Sequence, residues 1–272
     1  MSIKLHLPIF LAATILMPSV SFAQVMAAGG RHSLAICADS TARSWGYNGY
    51  GQLGNGTTME QHTGVLVLGL TGIRQVAGGL FHSLFIKNDG TAWACGRNTL
   101  GPLGDGTTAD KPSPVQVSGL SDIIQAAGGG EHSLFLKNDS TVWACGANSS
   151  GQLGIGTNAN RSTAAQVVGL TGVVQIAAGA EFSLFLKQDG TVWACGHNGY
   201  GQFGNGTTSA KNIPTQISGL QGIVGISAGE WHSLFVKNDG TVWAAGRNQY
   251  GQLGDGTTVD KSTFIPLNSL AG

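Results

Sequence analysis

The chain has no surplus of charge. It carries 14 Lys and Arg against 14 Asp and Glu over 272 residues. That balance excludes the basic stripe by which a protein meets nucleic acid or an anionic membrane surface. Long apolar runs are also missing: Leu7 to Met17 covers about eleven residues, roughly half of what a bilayer span needs, and no later segment is long and apolar enough to cross. The acidic residues fall mainly at hairpins and in variable loops, so no converging carboxylate pair of the kind that hydrolases use stands out. We therefore expect a non-enzymatic chain with no catalytic residues, no metal and no cofactor.

The short apolar run fits something else. It follows Lys4 and leads to Ser21-Phe22-Ala23, the small-x-small pattern of a secretory cleavage site. Residues 1–23 read as a signal peptide and residues 24–272 as the exported domain, secreted or periplasmic, with no membrane insertion after cleavage. Loss of Lys4 leaves 13 basic against 14 acidic side chains, a formal charge of −1.

Cysteine is sparse, four in all, and its placement argues against disulfides. Cys95, Cys145 and Cys195 share one phase of a fifty-residue period. Equivalent positions in stacked sheets sit about 10 Å apart, whereas a disulfide needs Cα atoms within about 7 Å. They read as small buried core residues, in keeping with Ala245 at the same phase. Cys37 sits at another phase and reads as a lone thiol.

What the chain has in abundance is glycine, 44 residues of it, and a 42% hydrophobic content sufficient for a substantial core. Scattered glycine without a collagen period means many tight turns joining short strands. The period is plain in His32-Ser33-Leu34, His82-Ser83-Leu84, His132-Ser133-Leu134, Phe182-Ser183-Leu184 and His232-Ser233-Leu234. Each copy runs through an apolar stretch, a turn such as Asn88-Asp89-Gly90, and a Trp-bearing strand, which predicts an Asp-Gly hairpin. A Gly-rich stretch, a returning strand such as Pro114 to Val117 and a further strand such as Ile123 to Ala126 complete four strands. A four-stranded unit of this size cannot bury both faces alone, so copies stack, and radial stacking gives a β-propeller. The fifth copy stops where its next strand should begin, while the exported chain starts on Gln24 to Ala28, a strand of that type. The expected fold is all-β, a five-bladed propeller of four-stranded antiparallel blades closed by the N-terminal strand joining the last blade.

Ala127-Gly128 before His132-Ser133-Leu134, Asp189-Gly190-Thr191-Val192-Trp193, Gly246-x-Asn248 and Gly251-Gln252-Leu253-Gly254 together resemble the repeats of the regulator of chromosome condensation. The resemblance extends over essentially the whole exported chain. It implies a propeller used for protein–protein contact, in a family whose members range from a nuclear nucleotide-exchange factor to secreted bacterial inhibitors of β-lactamases. Its well-known members are usually seven-bladed, so five copies are a departure. Their functional loops carry no signature that transfers to residues of this chain, and fold does not by itself assign a task.

Several motifs have plainer readings than they first suggest. The histidine row His32, His82, His132 and His232 cannot converge on zinc at about 2.0 to 2.1 Å from neighbouring blades except on the axis, and Phe182 interrupts it, so each histidine is expected to hydrogen-bond locally. Gly49-Tyr50-Gly51-Gln52-Leu53-Gly54 and Gly199-Tyr200-Gly201-Gln202-Phe203-Gly204 match a dinucleotide-binding glycine pattern but lead into strands, not a helix N-terminus. Asp105 and Asp255 offer one optional carboxylate per copy, which suits turn chemistry and not a calcium cage. Trp93, Trp143, Trp193 and Trp243 fill space between blades.

Phases that vary between copies are released from the packing that fixes the others. The loop joining the first and second strands and the loop joining the third and fourth emerge at one end of an antiparallel sheet. The first holds Arg31, Phe81, Glu131, Glu181 and Trp231; the second holds Tyr47, Tyr50, Arg97, Leu100, His197, Tyr200, Arg247 and Tyr250. Tyr, Trp and Arg dominate binding energy at interfaces, so this face is expected to bind a protein partner, with Phe81 and Trp231 as exposed anchors whose removal spares stability. A glycan-binding, lectin-like propeller is the alternative, through tyrosines stacking on sugars. Guanine-nucleotide exchange by family analogy is a third reading, opposed by the export signal.

Overall fold

The computed structural model describes residues 25–267. Twenty strands form five four-stranded antiparallel sheets, each contiguous in sequence. Blade one is β1 (Met26–Ala28), β2 (His32–Ile36), β3 (Ala42–Gly46) and β4 (Gln61–Leu66); blade two is β5 (Ile73–Gly78), β6 (His82–Lys87), β7 (Ala92–Gly96) and β8 (Lys111–Gln116). Blade three is β9 (Ile123–Gly128), β10 (His132–Lys137), β11 (Val142–Gly146) and β12 (Arg161–Gln166). Blade four is β13 (Val173–Ala178), β14 (Phe182–Lys187), β15 (Val192–Gly196) and β16 (Lys211–Gln216), and blade five is β17 (Ile223–Ala228), β18 (His232–Lys237), β19 (Val242–Gly246) and β20 (Lys261–Pro266). No described residue is helical.

The hairpins close as the turn residues predict. Asp89 accepts from the Thr91 amide at 3.0 Å and from its hydroxyl at 2.6 Å, and Asp139, Asp189 and Asp239 repeat the arrangement. An Asx turn of this kind needs only the aspartate and the threonine two residues on.

Strand alternation gives each blade a trailing and a leading face. Leu84, Ile86, Ala92 and Ala94 of blade two point one way and pack with Phe135 and Cys145 of blade three. The same division holds between blades one and two around Phe85 and Cys95, between three and four around Phe185 and Cys195, and between four and five around Phe235. The core is therefore four successive inter-blade slabs. Burying one such phenylalanine contributes about 1.5–3 kcal/mol, which is why an isolated blade has no stable fold. The three cysteines are fully buried, as their shared phase implies, and all four thiols are free. The first strands of the blades line a hub of small side chains such as Ala77, Gly78, Ala127 and Ala178.

The expected closure fails. β1 pairs with β2, Ala27 opposite Leu34, and so opens blade one. The reason is local: the strand lies a few residues before its partner, and a tight antiparallel connection costs far less chain entropy than crossing to the last blade. Blade five is complete without it, β17 through β20 in order. Packing of leading on trailing face joins blades one to two, two to three, three to four and four to five. Among the described residues the last hydrophobic cluster, Ala244, Leu253 and Leu267 with Leu234, Val242 and Ile265, contains blade five alone. Among the described residues the five blades form an open arc. The signal peptide expected over residues 1–23 lies outside the described residues.

Candidate functional site

The long loop between the third and fourth strands is held by a buried asparagine. Asn48 accepts from the Leu53 amide at 2.9 Å and donates to the Thr57 carbonyl at 3.0 Å, and Asn98, Asn148, Asn198 and Asn248 do the same in their blades. Gln52 adds its side-chain carbonyl to the Tyr50 amide at 3.1 Å. The Gly-Gln-Leu-Gly stretches thus organise a loop and lead through turns to a strand, with no helix to receive a phosphate. Asp105 and Asp255 serve the same loop, each accepting from its Gly-Thr turn and pairing with Lys111 at 3.4 Å and Lys261 at 3.1 Å.

These fixed loops bring variable side chains of adjacent blades together at one end of the arc. At the junction of blades one and two, Phe81 packs on Tyr50 with ring centroids 5.2 Å apart and on Tyr47 at 6.1 Å. The Arg97 guanidinium covers the Tyr50 ring at 5.3 Å and the Phe81 ring at 5.8 Å, and its far edge pairs with Glu131 of blade three. At the junction of blades four and five, Trp231 packs on His197 at 5.1 Å and on Tyr200 at 5.7 Å. There Arg247 lies over Tyr200 at 5.2 Å and Tyr250 at 5.9 Å. Cation–π contacts contribute about 0.5–1 kcal/mol at exposed sites and about 2 where water is excluded, so each arginine is held in place as well as displayed.

Between the two clusters the rim is polar. Ala147 and Ser150 stand where the flanking blades carry Arg97 and Leu100 on one side and His197 and Tyr200 on the other, and the Ser150 hydroxyl donates to Glu181 at 2.7 Å. Leu100 lines a small cleft with Phe81, Arg97 and Glu131. Arg31 is exposed and, among the described residues, joins neither cluster. Tyr47, Tyr50, Phe81, Arg97, Leu100 and Glu131 therefore form one group, and His197, Tyr200, Trp231, Arg247 and Tyr250 a second. Glu181 sits between them with Ser150, which sequence reasoning missed because its partner lies in the next blade. The offset of thirty-one residues between Ser150 and Glu181 recurs between Tyr50 and Phe81 and between Tyr200 and Trp231, and is the signal that links such pairs.

Phe81 and Trp231 are half-buried under their neighbours, not the freely standing anchors their phase suggested. Stacking between blades covers them, and the exposed ring is Tyr250, 80% accessible.

The histidine row is an inter-blade stitch. His32, His82 and His132 place Nε2 at 2.8, 3.0 and 3.0 Å from the hydroxyls of Ser83, Ser133 and Ser183 in the following blade. Those hydroxyls donate in turn to the carbonyls of Gln52, Pro102 and Gln152, so the imidazole is the donor and carries its proton on Nε2. The partners are in the next blade, not local as expected. Burial pushes His82 down to about 3, with His132 and His32 adding repulsion, and burial pushes His32 and His132 down to about 4. All three are neutral at ordinary pH.

Models of the regulator of chromosome condensation (RCC1) repeat match residues 44–86, 89–136, 139–186, 189–236 and 239–270, and a second model of that repeat matches five further-offset segments from 25–52 to 223–252. Among solved structures, human WBSCR16 is 25% identical with a TM-score of 0.80, covering 89% of this chain and 66% of its own. Yeast RCC1 (Prp20) bound to Kap60 is 22% identical with a TM-score of 0.72, over 89% of this chain and 74% of that one. Prp20p from Saccharomyces cerevisiae, in work on its binding to Gsp1p and histones, is 23% identical with the same TM-score, over 89% and 76%. The chain thus spans about two thirds to three quarters of these proteins. No curated protein sequence matches it significantly.

Proposed function

The chain belongs to the regulator of chromosome condensation repeat family, and from that premise we propose that it is an exported, secreted or periplasmic, binding protein that holds a protein partner against its variable-loop face. The observation that carries this reading is the pair of assembled aromatic–arginine clusters on the variable-loop end of the blades. Tyr, Trp and Arg on a preorganised scaffold lose little side-chain entropy on binding. Yeast RCC1 is seen bound to Kap60, which supports a protein as the class of partner. The leader pattern of residues 1–23 supports export and weighs against nucleotide exchange on a cytosolic or nuclear GTPase.

The reading is non-enzymatic. The hub is lined by small residues and amides, and the acidic side chains of the turns are engaged with threonine and lysine.

The test is affinity capture from envelope and medium fractions with the purified chain and its Tyr200→Ala/Tyr250→Ala variant. A partner held at least 10-fold more weakly by the variant supports the reading; the same proteins retained with the same affinity removes it. The exposure of Tyr250 keeps one second reading, sugar stacking. Glycan binding that depends on Tyr250 in the absence of any protein partner would favour it.

A further inference from the structure

Each of the first four blades covers its trailing face with the leading face of the next, and the covering chemistry is fullest between blades two and three. Glu131 pairs with Arg97, the Ser133 hydroxyl accepts from His82 at 3.0 Å, and the Phe135 ring packs with Leu84, Ala94 and Leu103. Glu131, Ser133 and Phe135 are alternate residues of one extended stretch, so they point to the same side. Blade five presents the matching groups again: Arg247 for Arg97, His232 for His82, and Leu234, Ala244 and Leu253 for the apolar floor. Among the described residues no further blade meets them: Ala244 and Leu253 are buried within blade five itself, while His232 and Leu234 are only half-buried where His82 and Leu84 are fully covered. Val236 on this face is 38% exposed, where Ile86 at the same phase of blade two is fully buried. A side chain added at Gly151 would strike the backbone of Asn212 in the next blade, whereas one at Gly251 would meet only its own loop, at Thr257.

Blade one is the wrong cover. At the positions of Glu131, Ser133 and Phe135 it carries Arg31, Ser33 and Ala35. Arg31 would set like charge against Arg247, and Ala35 would leave empty the space a phenyl ring fills at every other junction. Trp45 for the small cysteine and Arg43 for the tryptophan alter the same leading face.

We infer that the trailing face of blade five is a docking surface for a β-strand of another polypeptide that presents an acidic, a hydroxyl and an aromatic side chain at alternate positions. These seat on Arg247, on His232 and on the open apolar floor of Leu234 and Val236, respectively. The surface is continuous with four inter-blade interfaces of known composition, which is what specifies its occupant. It shares only Arg247 with the loop clusters and stands or falls apart from them.

The chain itself supplies the probe. Arg31→Glu/Ala35→Phe/Trp45→Cys installs the pattern on blade one, and sedimentation velocity is compared with the unaltered chain. The unaltered chain sediments as a monomer; the triple variant associates head to tail, and adding Arg247→Glu weakens that association about 100-fold. A triple variant that keeps its near-ultraviolet dichroism and stays monomeric overturns the proposal. So does an unaltered chain whose self-association is abolished by Arg247→Glu, because blade one would then be the occupant. If the triple variant does not fold, the double variant Arg31→Glu/Ala35→Phe, which keeps Trp45, takes its place. Association that Arg247→Glu weakens at least 10-fold supports the proposal, and a folded double variant that stays monomeric, or associates regardless of Arg247→Glu, overturns it.

Discussion

His82 Nε2 and Ser133 Oγ lie 3.0 Å apart although the residues belong to different blades. The serine hydroxyl also donates to the Pro102 carbonyl at 2.7 Å, so one small side chain satisfies two buried groups across a junction. Ser133→Ala strands both. Unmet buried polar groups cost about 1–3 kcal/mol each, so chemical denaturation should show a loss of about 2–4 kcal/mol with an unchanged m-value. A loss below about 0.5 kcal/mol would mean the stitch contributes nothing.

Stability should fall on mild acidification. The three stitching histidines are held far below their ordinary value of 6.5, at about 3 for His82 and about 4 for His32 and His132. From pH 6.5 down to about 4 the unfolded chain therefore binds more protons than the folded one, and each histidine removes about 1.4 kcal/mol of stability per pH unit fully inside that window. His132→Phe copies the chain's own Phe182, and its urea midpoint should vary less with pH than that of the unaltered chain. Parallel pH profiles would rule out the imidazole as the source.

Gly151 and Gly251 have the same left-handed backbone, φ 85° and 74°, but different surroundings. Gly151→Ala drives a methyl group into the Asn212 backbone and should cost well over 2 kcal/mol, beyond the backbone strain of about 1 kcal/mol that both substitutions share. Gly251→Ala should show the strain alone. Equal losses of melting temperature would indicate that blade five is covered like the others.

Thiol titration should separate the four cysteines. Burial raises the Cys95, Cys145 and Cys195 thiols well above their ordinary range, while Cys37 is half-buried. A thiolate-selective reagent should modify one cysteine in the native chain and four after denaturation. Rapid modification of two or more in the native state would contradict the packing of the inter-blade slabs.

Much of this protein is legible along the chain. The fifty-residue recurrence of His-Ser-Leu, Asp-Gly-Thr and Gly-Gln-Leu-Gly, with two-residue alternation inside each copy, determines the strands, their hairpins and the end on which the variable loops emerge. Those features depend on neighbours within one blade, where backbone pairing and turn chemistry act over short separations.

What only the tertiary structure decided is what passes between blades. The histidine-to-serine stitch and the covering of Phe81 and Trp231 join residues thirty-one to fifty-one positions apart, and the choice of β2 over the last blade as the partner of β1, like the open trailing face of blade five, is settled at the same level. Their outcome depends on which face meets which and at what curvature. Arg31 stands out in the sequence only as one varying loop residue, and its meaning, like that of Ala35, required knowing that those phases are the ones a preceding blade would have to receive.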